Sequence, residues 1–260
     1  MIPTSMRESW QAAAQSGVGA AIQQAAARTG VDFSYLLGQA KIESGFDPNA
    51  RARTSSATGL FQFIDQTWLA TVKQHGDKHG LGWAADAIKQ GANGRHYVSD
   101  PATRRAILDM RRDPTAASAM AAEFAADNQN YLENSLGRPM ESVDLYLAHF
   151  LGAGGAAKFL KAHDANPDAA GASIAPAAAR ANRSIFYARN GAPRSLGEIR
   201  ERFAAKLGGS APLPAPAERS LPQAELPQVQ YALMTESKPV AGPTPQYARL
   251  AYLMLAQLGG

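Results

Sequence analysis

The sequence predicts a mostly α-helical domain with at most a short hairpin, followed by a proline-rich tether and a short terminal helix. Alanine is abundant and runs of Val, Ile and Thr are scarce, which favours helix over sheet. Apolar residues recur at helical spacing through much of the stretch from residue 18 to residue 207. At Gly208 the composition changes, and eight of the chain's 16 prolines fall between there and Pro245.

Taken in order, Val18, Ile22, Ala25 and Ala26 carry the first helical period, and Gly30 is its stop. Asp32 can cap the segment FSYLLGQAKIES, in which Phe33, Leu36, Leu37, Ala40 and Ile42 form an apolar stripe. Gly45 and Pro48 end that helix. The polar stretch RARTSSATG has no helical period and reads as a loop or short hairpin. Asp65 is expected to cap a helix bearing Trp68, Leu69 and Val72. Asp113-Pro114 is a strong start, a cap followed by proline in the first turn, for a long helix towards Leu136. Met120, Phe124, Tyr131 and Leu132 are its inward candidates. A further helix follows Pro139 with Val143, Leu147 and Phe150 and stops at a flexible GAGG. Ser195 with Glu198 forms a capping-box pattern ahead of Ile199, Phe203 and Leu207.

The expected organisation is therefore a helical domain over 1–207 with an N-terminal extension, a tether over 208–245 and an amphipathic helix over 246–260. In that last segment Tyr247, Leu250, Met254 and Leu258 share one face, with Leu255 beside it. The helix either docks back on the domain or binds a partner or membrane surface.

Composition narrows the function classes. The chain of 260 residues has formal charge +4 and a pI of about 9.4, a modest excess that suits an anionic partner or simply a soluble surface. The basic residues are scattered, with Arg104, Arg105, Arg111 and Arg112 loosely grouped, and nothing resembles a nucleic-acid platform. The lack of cysteine excludes disulfides, thiolate nucleophiles and cysteine metal sites. No apolar run is long enough to span a bilayer. The first residues, MIPTSMRESWQAAAQ, show no secretion signal, so a leader outside this chain or another export route is expected. His75 and His79 are four apart but lack an H-E-x-x-H context, so no metal is expected, and no cofactor either. Gly152, Gly154 and Gly155 have no phosphate-binding pattern around them and suit a tight turn with close helix approach. Trp10, Trp68 and Trp83 read as packing residues.

Glu43 is the most distinctive chemical group. It lies in the last turn of an apolar helix, where the negative end of the dipole and partial burial both oppose an ionised carboxylate. Such a group can serve as a general acid, although a glutamate at a helix end is more often exposed or ion-paired. Its surroundings are more specific. The run KIESGFDPNARARTSSATGLFQFIDQTWL, residues 41–69, contains Glu43-Ser44-Gly45-Phe46 and, after a loop, Gly59-Leu60-Phe61-Gln62. This arrangement closely resembles the signature of the family 1 lytic transglycosylases, SLT domains within the goose-type lysozyme-like superfamily. A weaker similarity lies at AHFLGAGG, residues 148–155, where that family carries A-Y-N-A-G-x-G. The resemblance covers about residues 20–190.

The resemblance implies a lysozyme-like helical fold and a peptidoglycan substrate, with action in the periplasm or cell wall. Glu43 takes the position of the catalytic acid/base, and Gln62 that of a glutamine lining the glycan cleft. Ser55 and Ser56 fall near the loop serine. His149 stands at the family's tyrosine, Phe150 at its asparagine and Gly152 at its glycine. Tyr187, after ANRSIF, either takes a late cleft tyrosine position or packs in the core. The implied chemistry uses one carboxylate, first as acid towards the oxygen between N-acetylmuramic acid and N-acetylglucosamine, then as base towards the C6 hydroxyl. It leaves 1,6-anhydro ends. Asp47 and Asp65 fit better as a turn residue and a helix cap than as a second catalytic carboxylate.

Two alternatives stay open. One is a muramidase of the same fold that uses water. The other is a wall-binding or assembly protein without activity. The tether and terminal helix could also attach an active enzyme to an envelope machine or a phage particle. Deleting residues 208–260 is expected to leave cleavage of isolated peptidoglycan largely intact while altering recruitment. A truncated chain that no longer folds, seen as loss of its far-ultraviolet dichroism, would instead put the tail in the core.

Overall fold

Local signals set the first helices. The computed structural model describes residues 17–53 and 55–207. Helix α1 (Gly17–Thr29) buries Ile22, Ala25 and Ala26 and ends where Gly30 takes φ 78°. Asp32 starts α2 (Phe33–Ser44) by accepting a 2.8 Å hydrogen bond from the Tyr35 amide. Leu36, Leu37 and Ala40 are buried as expected, with Phe33 and Ile42 at the margin. Tyr35, Gly38 and Gln39 are buried as well, so α2 is enclosed around most of its circumference rather than along one stripe. An enclosed helix needs no amphipathic contrast, which is why its periodicity is weak.

The next elements are α3 (Asp65–His75), a 3-10 turn (Gly76–His79), α4 (Gly82–Ala87) and a hairpin of β1 (Lys89–Gln90) and β2 (His96–Tyr97). The strands are antiparallel, with Lys89 opposite Tyr97 and Gln90 opposite His96. The hairpin thus lies after α4. The RARTSSATG stretch forms isolated bridges, Arg51 to Thr58 and Thr58 to Phe63. Asp65 is the first residue of α3 and follows the cap position, Ile64. Its carboxylate is drawn off by Arg104 at 2.7 Å and Arg111 at 2.9 Å, so it pairs with cations instead of capping.

Helix α5 (Pro101–Asp109) and a second 3-10 turn (Met110–Arg112) lead to the central helix α6 (Pro114–Leu136). Asp113 caps it through the Ala116 amide at 2.7 Å. Met120 and Leu132 point inward, while Tyr131 is exposed, with its hydroxyl near Gly154. Helix α1 packs along α6 more extensively than any other pair of elements. Of the tryptophans, Trp68 is fully buried and donates its indole N–H to the Ile107 carbonyl, whereas Trp83 is 52% exposed and does not pack as expected. Trp10, the tether and the terminal helix lie outside the described residues.

Helix α7 (Ser142–Leu151) does not end at a flexible linker. Gly152, at φ 74° and ψ 155°, makes one sharp corner in a conformation nearly restricted to glycine, and α8 (Ala153–Ala165) starts at once. Short helices α9 (Gly171–Ile174), α10 (Pro176–Ala181) and α11 (Arg183–Phe186) lead to α12 (Leu196–Lys206). Ser195 and Glu198 cap α12 reciprocally, at 2.8 and 3.1 Å. Phe203 of α12 meets Tyr146 and Phe150 of α7, with ring centroids 5.5 and 5.0 Å apart. Among the described residues, no helix is long and apolar enough to cross a membrane.

Two buried ionic clusters brace this frame. Asp144 has no side-chain exposure and is held by Arg138 at 2.9 Å and Arg200 at 3.0 Å. His75 and His79 are turned onto Glu123, at 3.1 and 2.8 Å, and His75 also meets Asp127 at 2.8 Å. Burial opposes the Glu123 charge, but the His79 hydrogen bond and the charges of His75 and Lys78 outweigh it and hold the carboxyl below its usual range. A depressed folded-state value means that the stabilisation is complete above the unfolded-chain value of about 4.3 and fades as pH falls through the lower folded value. Glu123→Gln is expected to destabilise the protein by about 2 kcal/mol at neutral pH. In denaturant titrations, the gap between parent and variant should narrow progressively once the pH drops below that unfolded value.

Candidate active site

Helix α2 ends in a left-handed turn that fixes the direction of its last side chains. Gly45 adopts φ 64°, and its amide bonds back to the Lys41 carbonyl at 2.9 Å. Phe46 follows at φ 70°, a conformation L side chains seldom take. The Ser44 hydroxyl lies 3.1 Å from the Ala40 carbonyl and 2.9 Å from the Leu60 carbonyl, which fastens the helix end to the following loop.

Tyr35, Gln39 and Glu43 recur every four residues and therefore share one face of α2. Helix α7 meets that face with Tyr146 and His149. The Glu43 side chain is only 2% exposed, and its Oε1 lies 2.9 Å from His149 Nε2. On the other side of the ring, His149 Nδ1 lies 3.3 Å from Gln39 Nε2. Glu43 Oε2 is buried with no hydrogen-bond partner among the described residues. Burial first, and then the negative charge of Glu43, push the Tyr35 and Tyr146 phenols well above the ordinary tyrosine value, so both stay protonated. The result is a buried carboxyl group facing the polar side chains of two helices.

The loop after α2 is held by its own polar groups. Gln62, at φ 48°, is buried, and its amide nitrogen donates to the Ala50 and Gly59 carbonyls at 3.0 and 2.8 Å. Ser55 Oγ accepts from the Ala57 amide and Ser56 Oγ from the Asp65 amide. Arg111 reaches underneath to the carbonyls of Ser56, Phe63 and Leu108. Asp47 accepts from the Asn49 amide in a surface turn, as expected.

Of the residues singled out from sequence, Glu43 and His149 are brought into contact. Gln62, Ser55 and Ser56 shape the loop that follows Glu43. Gly152 forms the corner at the end of α7. Tyr187 lies in the turn after α11, with the Arg183 guanidinium 4.7 Å from its ring centroid. Phe150 points into the core against Phe186 and Phe203. Sequence reasoning missed Gln39, Tyr35 and Tyr146. The four-residue spacing back from Glu43 on an apolar helix was the available signal for the first two.

Gly59 couples the halves of this site. It has φ 83°, and a Cβ there would lie 1.8 Å from the Arg111 carbonyl oxygen. At Gly45 a Cβ would meet nothing within 4 Å. Gly59→Ala is therefore expected to cost about 3 kcal/mol or more, against about 1 kcal/mol for Gly45→Ala, as read from denaturation midpoints.

Residues 20–93 match the family model of the transglycosylase SLT domain. The matched stretch runs from α1 into the β1–β2 hairpin, and it includes Glu43, Gly59 and the strained Phe46 and Gln62. A mostly helical fold with one two-stranded sheet among the described residues agrees with that assignment. Residues 20–93 are thus similar to the transglycosylase SLT domain of the lytic transglycosylases.

Proposed function

We propose that the protein is a lytic transglycosylase that cleaves the β-1,4 bond between N-acetylmuramic acid and N-acetylglucosamine, with Glu43 as the single acid and base. The observation that carries this reading is the Glu43 carboxyl itself. It is buried, one oxygen is held by His149, and the other has no partner among the described residues. The nearest acids in sequence are committed elsewhere, Asp47 to a surface turn, Asp32 to the α2 cap and Asp65 to two arginines. A one-carboxylate mechanism is consistent with that arrangement, whereas most glycosidases use a pair.

In the first step protonated Glu43 gives its proton to the glycosidic oxygen as the bond from the muramic acid anomeric carbon to that oxygen breaks. The 2-acetamido group of the same sugar offsets the positive charge at that carbon. In the second step the C6 hydroxyl attacks the anomeric carbon, and Glu43, now a carboxylate, takes the hydroxyl proton. The 1,6-anhydro ring closes, the acid is regenerated and no water is consumed. Burial of the carboxyl favours both steps, because it strengthens the interaction with the developing charge. The substrate places this action in the bacterial wall or periplasm.

Glu43→Gln keeps the shape of the site but removes the titrating group. It is expected to lower turnover of purified sacculi by about a thousandfold with the thermal midpoint little changed. Mass spectrometry of the parent digest should show 1,6-anhydromuramic ends. Reducing muramic acid ends would assign hydrolysis instead, and full activity of Glu43→Gln would remove Glu43 from the chemistry.

A further inference from the structure

The two oxygens of Glu43 are not equivalent, and the difference is set by residues on two helices. Oε1 faces His149 Nε2 at 2.9 Å, while Oε2 is buried without a partner among the described residues. His149 Nδ1 faces Gln39 Nε2 at 3.3 Å. An amide nitrogen can only donate a hydrogen bond. With the Gln39 amide nitrogen as donor, Nδ1 is the acceptor of the ring and the imidazole proton is assigned to Nε2, aimed at Oε1.

From this we infer that His149, with its tautomer fixed by Gln39, is a positioning residue that reserves Glu43 Oε1 as a constant acceptor and leaves Oε2 to give and take the proton. The inference rests on the reading of Glu43 as acid and base. A neutral Nε2–H imidazole suits both halves of that cycle. When Glu43 is protonated on Oε2, Oε1 is a carbonyl-like acceptor, and when Glu43 is ionised, Oε1 is a carboxylate acceptor. The hydrogen bond persists while the proton moves, so the carboxyl need not rotate between steps. The flanking groups do not compete, because the Tyr35 and Tyr146 phenols stay protonated beside the carboxyl. Gln39 is itself 4% exposed on a helix enclosed around most of its girth, so the ring is oriented by a rigid element.

Four full-length variants test this with soluble glycan strands as substrate. His149→Phe removes the donor while keeping a planar ring, and kcat should fall about a hundredfold, the scale of a misplaced catalytic group. KM should stay within about twofold, because the strand is gripped elsewhere. His149→Gln restores an N–H donor and should recover kcat to within about tenfold of the parent. Side-chain nitrogen NMR of the parent should show His149 as the neutral Nε2–H tautomer, and Gln39→Leu should turn it into a mixture. Parent-like kcat in His149→Phe, a defect confined to KM, no recovery in His149→Gln, or an Nδ1–H tautomer in the parent would each overturn the inference. Glu43→Gln separates the two levels. If it is inactive while His149→Phe is fully active, only the role of His149 falls. If Glu43→Gln is itself active, the assignment of the acid falls with it.

Discussion

The enclosure of α2 is the constraint on which the rest of the structure depends. A helix covered around most of its circumference cannot turn its polar side chains to water, so each one it carries must find a partner inside. Tyr35, Gln39 and Glu43 lie on one face of α2, and α7 supplies Tyr146 and His149 to meet them. The position of α7 is therefore tied to the chemistry of α2. Asp144, buried at the start of α7 and held by Arg138 and by Arg200 of α12, fixes that helix from the other end. Removing one member of such a buried pair typically costs several kcal/mol, because an uncompensated charge remains. The ionic brace at Asp144 thus holds the same helix that carries His149.

The loop after α2 extends the same constraint. Phe46 and Gln62 are the two non-glycine residues with positive φ among those described, and they fall one in each half of the ESGF and GLFQ pattern. Backbone held in such regions costs about 1–3 kcal/mol per residue and persists only where the surroundings over-determine it. Here the surroundings are named groups. Ser44 ties the helix end to Leu60, Gln62 ties the loop to Ala50 and Gly59, and Arg111 collects the carbonyls of Ser56 and Phe63. Gly59 is pressed so closely against the Arg111 carbonyl that no other residue fits. The short pattern in the sequence is thus the trace of a single mechanical unit that fixes where Glu43 can sit.

Much of this was legible in the sequence, and the rest was hidden for identifiable reasons. Caps at Asp32, Asp113 and Ser195 could be read because an N-cap is a local hydrogen bond between residues three apart. Asp65 looked identical in sequence, but two arginines from 39 and 46 residues away claimed its carboxylate. The GAGG run looked like a break because glycine disfavours helix, yet only Gly152 turns the chain and α8 begins immediately after it. The same difference separates the site residues. Glu43 could be read because its motif is contiguous, whereas Gln39 acquires its part only through a histidine 110 positions later.

That dependence on distant partners explains how one carboxyl group can be asked to serve two steps. Tyr35 and Tyr146 add no second negative charge beside Glu43, because a phenol is neutral well above neutral pH. Burial of both phenols, reinforced by the charge of Glu43 itself, extends that neutrality to still higher pH. An isolated buried carboxyl could do proton chemistry but would be free to rotate, presenting either oxygen at either step. A single strong donor against Oε1 removes that freedom without adding a second negative charge. In the proposed mechanism the imidazole and the amide supply orientation, while the carboxyl supplies the chemistry. In the proposed one-carboxylate mechanism this separation matters more than in a paired one, because a single group must present the right oxygen at both steps.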